Sequence, residues 1–157
     1  MTQCDADMTQ CVAILDDTAA RVTAMRAVLR EVLPRFELVA FDNAPDFIDW
    51  LATGLGEAVL ISLDHDLGPT RPRPSGERFD PGIGRDAADV MALYAPTCPV
   101  IVHSSNSLAV PGMLRVLSES GWPCSAVMPT DDLRWIPANW RQEVEWYAAN
   151  GWFAKNL

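Results

Sequence analysis

The strongest constraint on this chain is its rhythm. Apolar runs of strand length recur along it, each followed by a segment of helical periodicity. "CVAIL" (Cys11–Leu15), "FELVAF" (Phe36–Phe41), "AVLISL" (Ala58–Leu63), "VIVHSS" (Val100–Ser105) and "CSAVMP" (Cys124–Pro129) read as five strands. A helix is expected over Ala19–Leu33, with Val22, Met25, Val28, Leu29 and Val32 on one face and arginines on the other. Thr18 is placed to cap it and Pro34 to stop it. "APDFIDWLAT", "RDAADVMALYA", "AVPGMLRVLSESG" and the stretch Trp135–Asn150 supply four more helices. Buried strands alternating with helices predict an α/β fold of three layers, with a parallel five-stranded sheet covered on both faces. Right-handed crossovers restrict it to doubly wound topologies, whose ligands sit at the carboxyl ends of the strands.

Composition narrows the function classes. A length of 157 residues suits one domain, and 49% hydrophobic content suits an ordinary globule. The net charge of −9 argues against broad binding to duplex nucleic acid or to an anionic membrane, while leaving room for a small phosphate ligand. No apolar run approaches the ~20 residues of a membrane span, and "MTQCDADMTQ" lacks a signal pattern. Cys4, Cys11, Cys98 and Cys124 show no metal-type spacing; Cys11, Cys98 and Cys124 lie at or beside the apolar strands and read as buried reduced thiols, so the cytoplasm is the expected location. The positive charge is almost all arginine: eleven against the single Lys155.

The residues that follow each strand carry the chemistry. Asp16 and Asp17 follow the first, and Asp64, His65 and Asp66 follow the third. His103, Ser104, Ser105 and Asn106 close the fourth. Both histidines of the chain therefore fall at the rim. Carboxylates converging there repel one another by ~4 kcal/mol per pair at ~4 Å and an effective dielectric of ~20, so they must bind a cation, take up protons or spread apart. All-oxygen ligands favour Mg²⁺ or Mn²⁺, which makes Asp16, Asp17, Asp64 and Asp66 the candidate metal ligands.

The loop "GPTRPRPSGERFDPGIGRD" brings Arg71, Arg73, Arg78 and Arg85 to the same edge, where guanidinium groups suit bidentate phosphate contacts. Its proline spacing suggests a stiff segment without secondary structure. In the Trp-rich end, Trp140, Val144 and Tyr147 fall at helical spacing and read as core, with a partner surface or self-association into a homodimer as the other use of that region.

Asp16–Asp17 after the first strand, Asp64 after the third and Ser104 or Ser105 at the fourth resemble the acidic pocket of response-regulator receiver domains. That resemblance implies a flavodoxin-like sheet of order 2-1-3-4-5 and a single receiver-like domain over 1–157 with its ordered core at about 11–150. It also implies Mg²⁺ at the pocket and Asp64 as phosphoacceptor. Receivers carry a Lys at the end of the fifth strand, where this chain has Met128 and Pro129. "LDHDLG", the glycine-led "GRDAADVM" and "VHSSN" are more similar to the cyclic-phosphate-processing receiver-like family.

Two functions are expected from these residues. In the first, the chain is a metal-dependent phosphoesterase that opens a cyclic phosphate, at an RNA end or in a small nucleotide. Asp64, His65 and His103 are then the catalytic residues, the histidines serving as acid and base. Ser104, Ser105, Asn106, Arg71 and Arg73 hold the phosphate oxygens. In the second, it is a stand-alone pseudo-receiver that accepts a phosphoryl group on Asp64 or docks a partner without catalysis. A silent binder of cyclic phosphates would share the pocket.

Overall fold

A computed structural model describes residues 9–153. Five parallel strands, β1 (Cys11–Leu15), β2 (Glu37–Phe41), β3 (Ala58–Leu63), β6 (Val100–His103) and β7 (Cys124–Val127), form one sheet in the order β2-β1-β3-β6-β7. Counted along the sheet alone this is 2-1-3-4-5, the doubly wound order expected. The three central strands are buried at every residue, whereas the edge strands β2 and β7 are only partly so. This is why the central runs are almost unbroken apolar sequence.

Helices α1 (Ala19–Val32) and α5 (Arg141–Ala149) cover one face, enclosing Ile14, Met25, Leu60, Ile101, Trp140 and Val144. Helices α2 (Ala44–Gly54), α3 (Gly84–Met91) and α4 (Val110–Glu119) cover the other, over Phe47, Leu63, Ala88, Met91, Val102 and Met113. Alternation along each strand decides which residues meet which layer.

Three local expectations change, and the reading of the cysteines holds. The arginine-rich loop folds into a small antiparallel hairpin, β4 (Arg71–Pro72) with β5 (Arg78–Phe79), because Arg73 and Gly76 close a turn through Glu77 and Arg73 backbone groups. The last helix opens with a π-helical turn, Ile136–Trp140, before α5 begins. Thr18 precedes α1 without a side-chain cap; its backbone N–H instead donates to Asp16 Oδ1 at 2.8 Å. Of the cysteines, Cys11 and Cys98 are buried and Cys124 half-buried, all as free thiols, while Cys4 lies outside the described residues. Burial pushes the Cys11 and Cys98 thiols up to about 11 and about 12, which makes them poor nucleophiles and poor metal ligands.

Candidate functional site

Backbone register builds the site. Leu15 pairs with Leu63 between β1 and β3, and Leu63 pairs with Val102 of β6, so the next residue of each strand is Asp16, Asp64 and His103. The ladder runs one step beyond the strands: Asp64 N–H donates to Leu15 C=O at 2.8 Å and Asp16 N–H to Phe41 C=O at 2.9 Å. The two carboxylates are thereby fixed side by side at the carboxyl rim. Asp17 joins them, and ligand oxygens of Asp16, Asp17 and Asp64 lie within 4.8 Å of one another.

Asp66 stands outside this group. It is exposed and accepts two 3.4 Å hydrogen bonds from Asn106 Nδ2. Asn106 is itself occupied, its Oδ1 accepting from Ala109 N–H at 3.0 Å ahead of α4. Ser104 is buried and accepts from Asn106 N–H, leaving Ser105 as the exposed hydroxyl of that segment.

His103 corrects the expectation of an imidazole open to the crevice. It is completely buried, stacked against Trp135 with ring centroids 5.9 Å apart. Its Nε2 lies 3.0 Å from Asp16 Oδ2 and its Nδ1 2.7 Å from Ser62 Oγ. Trp140 Nε1–H donates to the same hydroxyl at 3.0 Å. A carboxylate only accepts, so Nε2 carries a hydrogen, and in the neutral ring Ser62 donates to Nδ1. The result is a closed relay, Trp140 to Ser62 to His103 to Asp16, running from the C-terminal layer to the rim. The alternation of β3 and β6 explains it: Ser62, Asp64 and His103 fall on the face that α1 and α5 cover, so a histidine at this position is directed into the core.

His65 is also nearly buried, at 9% exposure, and its Nδ1 has no partner among the described residues. Its backbone N–H donates to Asp64 Oδ1 at 2.7 Å and its C=O accepts from Gly84 N–H at 2.8 Å. A Cβ at position 84 would lie 1.9 Å from Asp64 O, which is why α3 begins with glycine. Gly68 sits at φ +82°, a conformation that favours glycine, with Asp17 Oδ2 3.1 Å from where a Cβ would be.

The electrostatics differ along the trio. Burial acts to raise Asp16, but the His103 hydrogen bond and charge, the Thr18 N–H and Arg21 outweigh it and hold the carboxyl below its usual range. Burial and then the Asp16 charge raise Asp17, against Arg21 and Arg71. Burial lifts Asp64 to about 6, with the Asp16 charge adding to it and His103, the His65 N–H and Arg21 opposing.

Arg21 is the residue that the sequence reading missed. Placed with the outward arginines of α1, it turns into the crevice: Nη1 lies 3.4 Å from Asp64 Oδ2 and 3.7 Å from Asp16 Oδ2. The guanidinium carbon lies 5.7 Å from the Trp135 ring centroid. The hairpin arginines take other partners. Arg71 pairs with Asp42 at 3.1 Å and Arg73 lies 4.1 Å over Phe79, while Arg85 pairs with Asp89 of its own helix. From Asp16 and Asp17 an open groove of about 430 Å³ runs past Ala19, Thr23 and Phe41 to Asp42.

The donor set fits a hard divalent cation. Three carboxylates supply only oxygen, two are anchored from behind by N–H groups, and Asp17 is open to solvent.

Residues 12–119, more than half of the chain, match the family described as the cyclic-phosphate processing receiver domain. The chain belongs to that family. Solved receiver structures share its fold. The phosphorylated cyanobacterial phytochrome response regulator RcpA is 14% identical, with a TM-score of 0.65 over 88% of this chain and 93% of that one. A response regulator receiver domain from Rhodospirillum rubrum gives the same values. The Mn²⁺-bound response regulator Rcp1 is 16% identical, with a TM-score of 0.63 over 88% of this chain and 94% of its own. A search of curated proteins finds no match. Among the described residues no helix is long and apolar enough to cross a membrane.

Proposed function

We propose that this receiver-like module is a divalent-cation-dependent phosphoesterase acting on a cyclic phosphate or related phosphoester, in a small nucleotide or at an RNA end. The observation that carries the reading is the convergence of ligand oxygens of Asp16, Asp17 and Asp64 within 4.8 Å, with Asp16 and Asp17 also lining the groove. Asp16, Asp17 and Asp64 would hold Mg²⁺ or Mn²⁺, which when bound polarises a phosphoryl oxygen and acidifies a water. The Mn²⁺-bound Rcp1 structure supports a cation in a fold of this type.

The protein's own residues then divide the work. His103 positions Asp16 from behind and touches no substrate, since both ring nitrogens are engaged inside the core. His65, beside Asp64, is the imidazole left for proton transfer. The Ser105 hydroxyl and the hairpin's Arg71 and Arg73 lie on exposed segments that can meet a phosphate. Free, buried thiols suit a reducing compartment such as the cytoplasm.

A second reading has one observation in its favour. His103 is sealed in the core and His65, the imidazole that flanks Asp64, is itself only 9% exposed, and a carboxylate with so little accessible imidazole beside it suits a phosphoacceptor. The experiment offers the protein 2′,3′-cyclic nucleotides with Mn²⁺ and, separately, acetyl phosphate with Mg²⁺. Ring opening that is lost in Asp64→Asn supports the phosphoesterase. No ring opening, with a stable phosphoryl mass gain on Asp64, replaces it with the signalling module.

A further inference from the structure

The last strand brings no positive charge to the crevice. It ends at Val127, followed by Met128, 61% exposed, and Pro129. The cation arrives from the opposite side, in the first turn of α1. Arg21 contacts the carboxylates that follow β1 and β3 and still exposes 23% of its side chain. Among the described residues its only side-chain hydrogen bond is from Nη1 to Asp64 Oδ2, a long one at 3.4 Å. The remaining guanidinium donors are uncommitted, and the aromatic contact with Trp135 steadies the group without consuming them.

Charge bookkeeping gives this placement a consequence. Three ionised carboxylates and one guanidinium leave two negative charges, which a divalent ion would cancel. Arg21 already lies against Asp16 Oδ2 and Asp64 Oδ2, so an ion held by these two carboxylates would compete with the guanidinium and repel it at such range. We propose that Arg21 is an exchangeable counter-ion: it neutralises Asp16 and Asp64 until a divalent cation binds, is then released from them, and presents its fork to the phosphoryl oxygens. The proposal rests on the cation-binding reading above. It assigns to α1 the phosphate grip that the end of the last strand lacks, and guanidinium geometry suits the role through paired parallel hydrogen bonds.

Opposite signs test it. Mn²⁺ binding to the chelator-treated full chain is followed by electron paramagnetic resonance for wild type, Arg21→Gln and Arg21→Lys. Inorganic phosphate is then titrated calorimetrically at saturating Mn²⁺. Arg21→Gln is expected to bind Mn²⁺ about fivefold more tightly, because a partly exposed competing charge is gone. It is expected to bind phosphate at least about tenfold more weakly. Arg21→Lys keeps the charge, serves as the folding control in thermal unfolding, and falls between the two on both counts. Unchanged or weaker Mn²⁺ binding in Arg21→Gln, or unchanged phosphate binding, overturns the assignment to Arg21. Wild type that binds no Mn²⁺ removes the cation site and this exchange together.

Discussion

The crevice has two unlike walls. On the inner wall, Asp16, His103, Ser62 and Trp140 are buried and joined by hydrogen bonds of 2.7 to 3.0 Å. On the outer wall Asp17 is exposed, as are Asp66 and Arg73 on the loop and hairpin that follow β3, where the contacts are long hydrogen bonds to Asp66 or stacking on Phe79. The inner wall fixes where a carboxylate sits; the outer wall leaves ligand groups free to move. Burial separates these roles, since an unpaired polar group costs little in water and a great deal inside. Stability should therefore depend on the inner wall and ligand choice on the outer one.

The largest effect expected from this contrast is on His103. His103→Ala removes the partner of a buried carboxylate and a buried hydroxyl together, and should cost about 3–5 kcal/mol in urea unfolding. A loss under about 1 kcal/mol would mean that water replaces the ring and that the inner wall is not sealed.

Asp64 should give the next largest effect, as a pH dependence. Its carboxyl holds a proton up to about pH 6 in the fold against 3.8 in the unfolded chain. The folded state binds more protons between those values, so this contribution to stability is present below about pH 4 and lost as pH rises through about 6. With chelator present, Asp64→Asn should gain about 2 kcal/mol relative to wild type between pH 4 and pH 6.5. A difference that stays flat over that range would show that solvent reaches Asp64 more freely than its burial indicates. Smallest is Arg73→Ala on the hairpin, which should change stability by no more than about 0.5 kcal/mol, because its cation–π contact is exposed. A larger change would make the hairpin part of the folded scaffold.

The same contrast explains what the sequence made legible. Strand positions and the gathering of Asp16, Asp17 and Asp64 at one rim follow from apolar periodicity and from the rule that sites lie at carboxyl ends, while the sheet order comes from the resemblance to receiver domains. The direction of His103 is not visible in a list of rim residues; it depends on strand parity and on a partner, Ser62. The available signal was that serine itself, a hydroxyl inside the otherwise apolar "AVLISL", which must be hydrogen-bonded if buried. Arg21 was hidden differently. Helical periodicity put it with the outward arginines, and only the packing of α1 beside Trp135 turns its long side chain towards the carboxylates.

The central claim is that Asp16, Asp17 and Asp64 together hold one divalent cation. Titration of the full chain with Mn²⁺, read by electron paramagnetic resonance, tests it most directly. One ion per chain in wild type and Asp66→Asn, with binding abolished in Asp17→Asn and Asp64→Asn, is the predicted result. Binding that survives Asp64→Asn, or that disappears with Asp66→Asn alone, would contradict it.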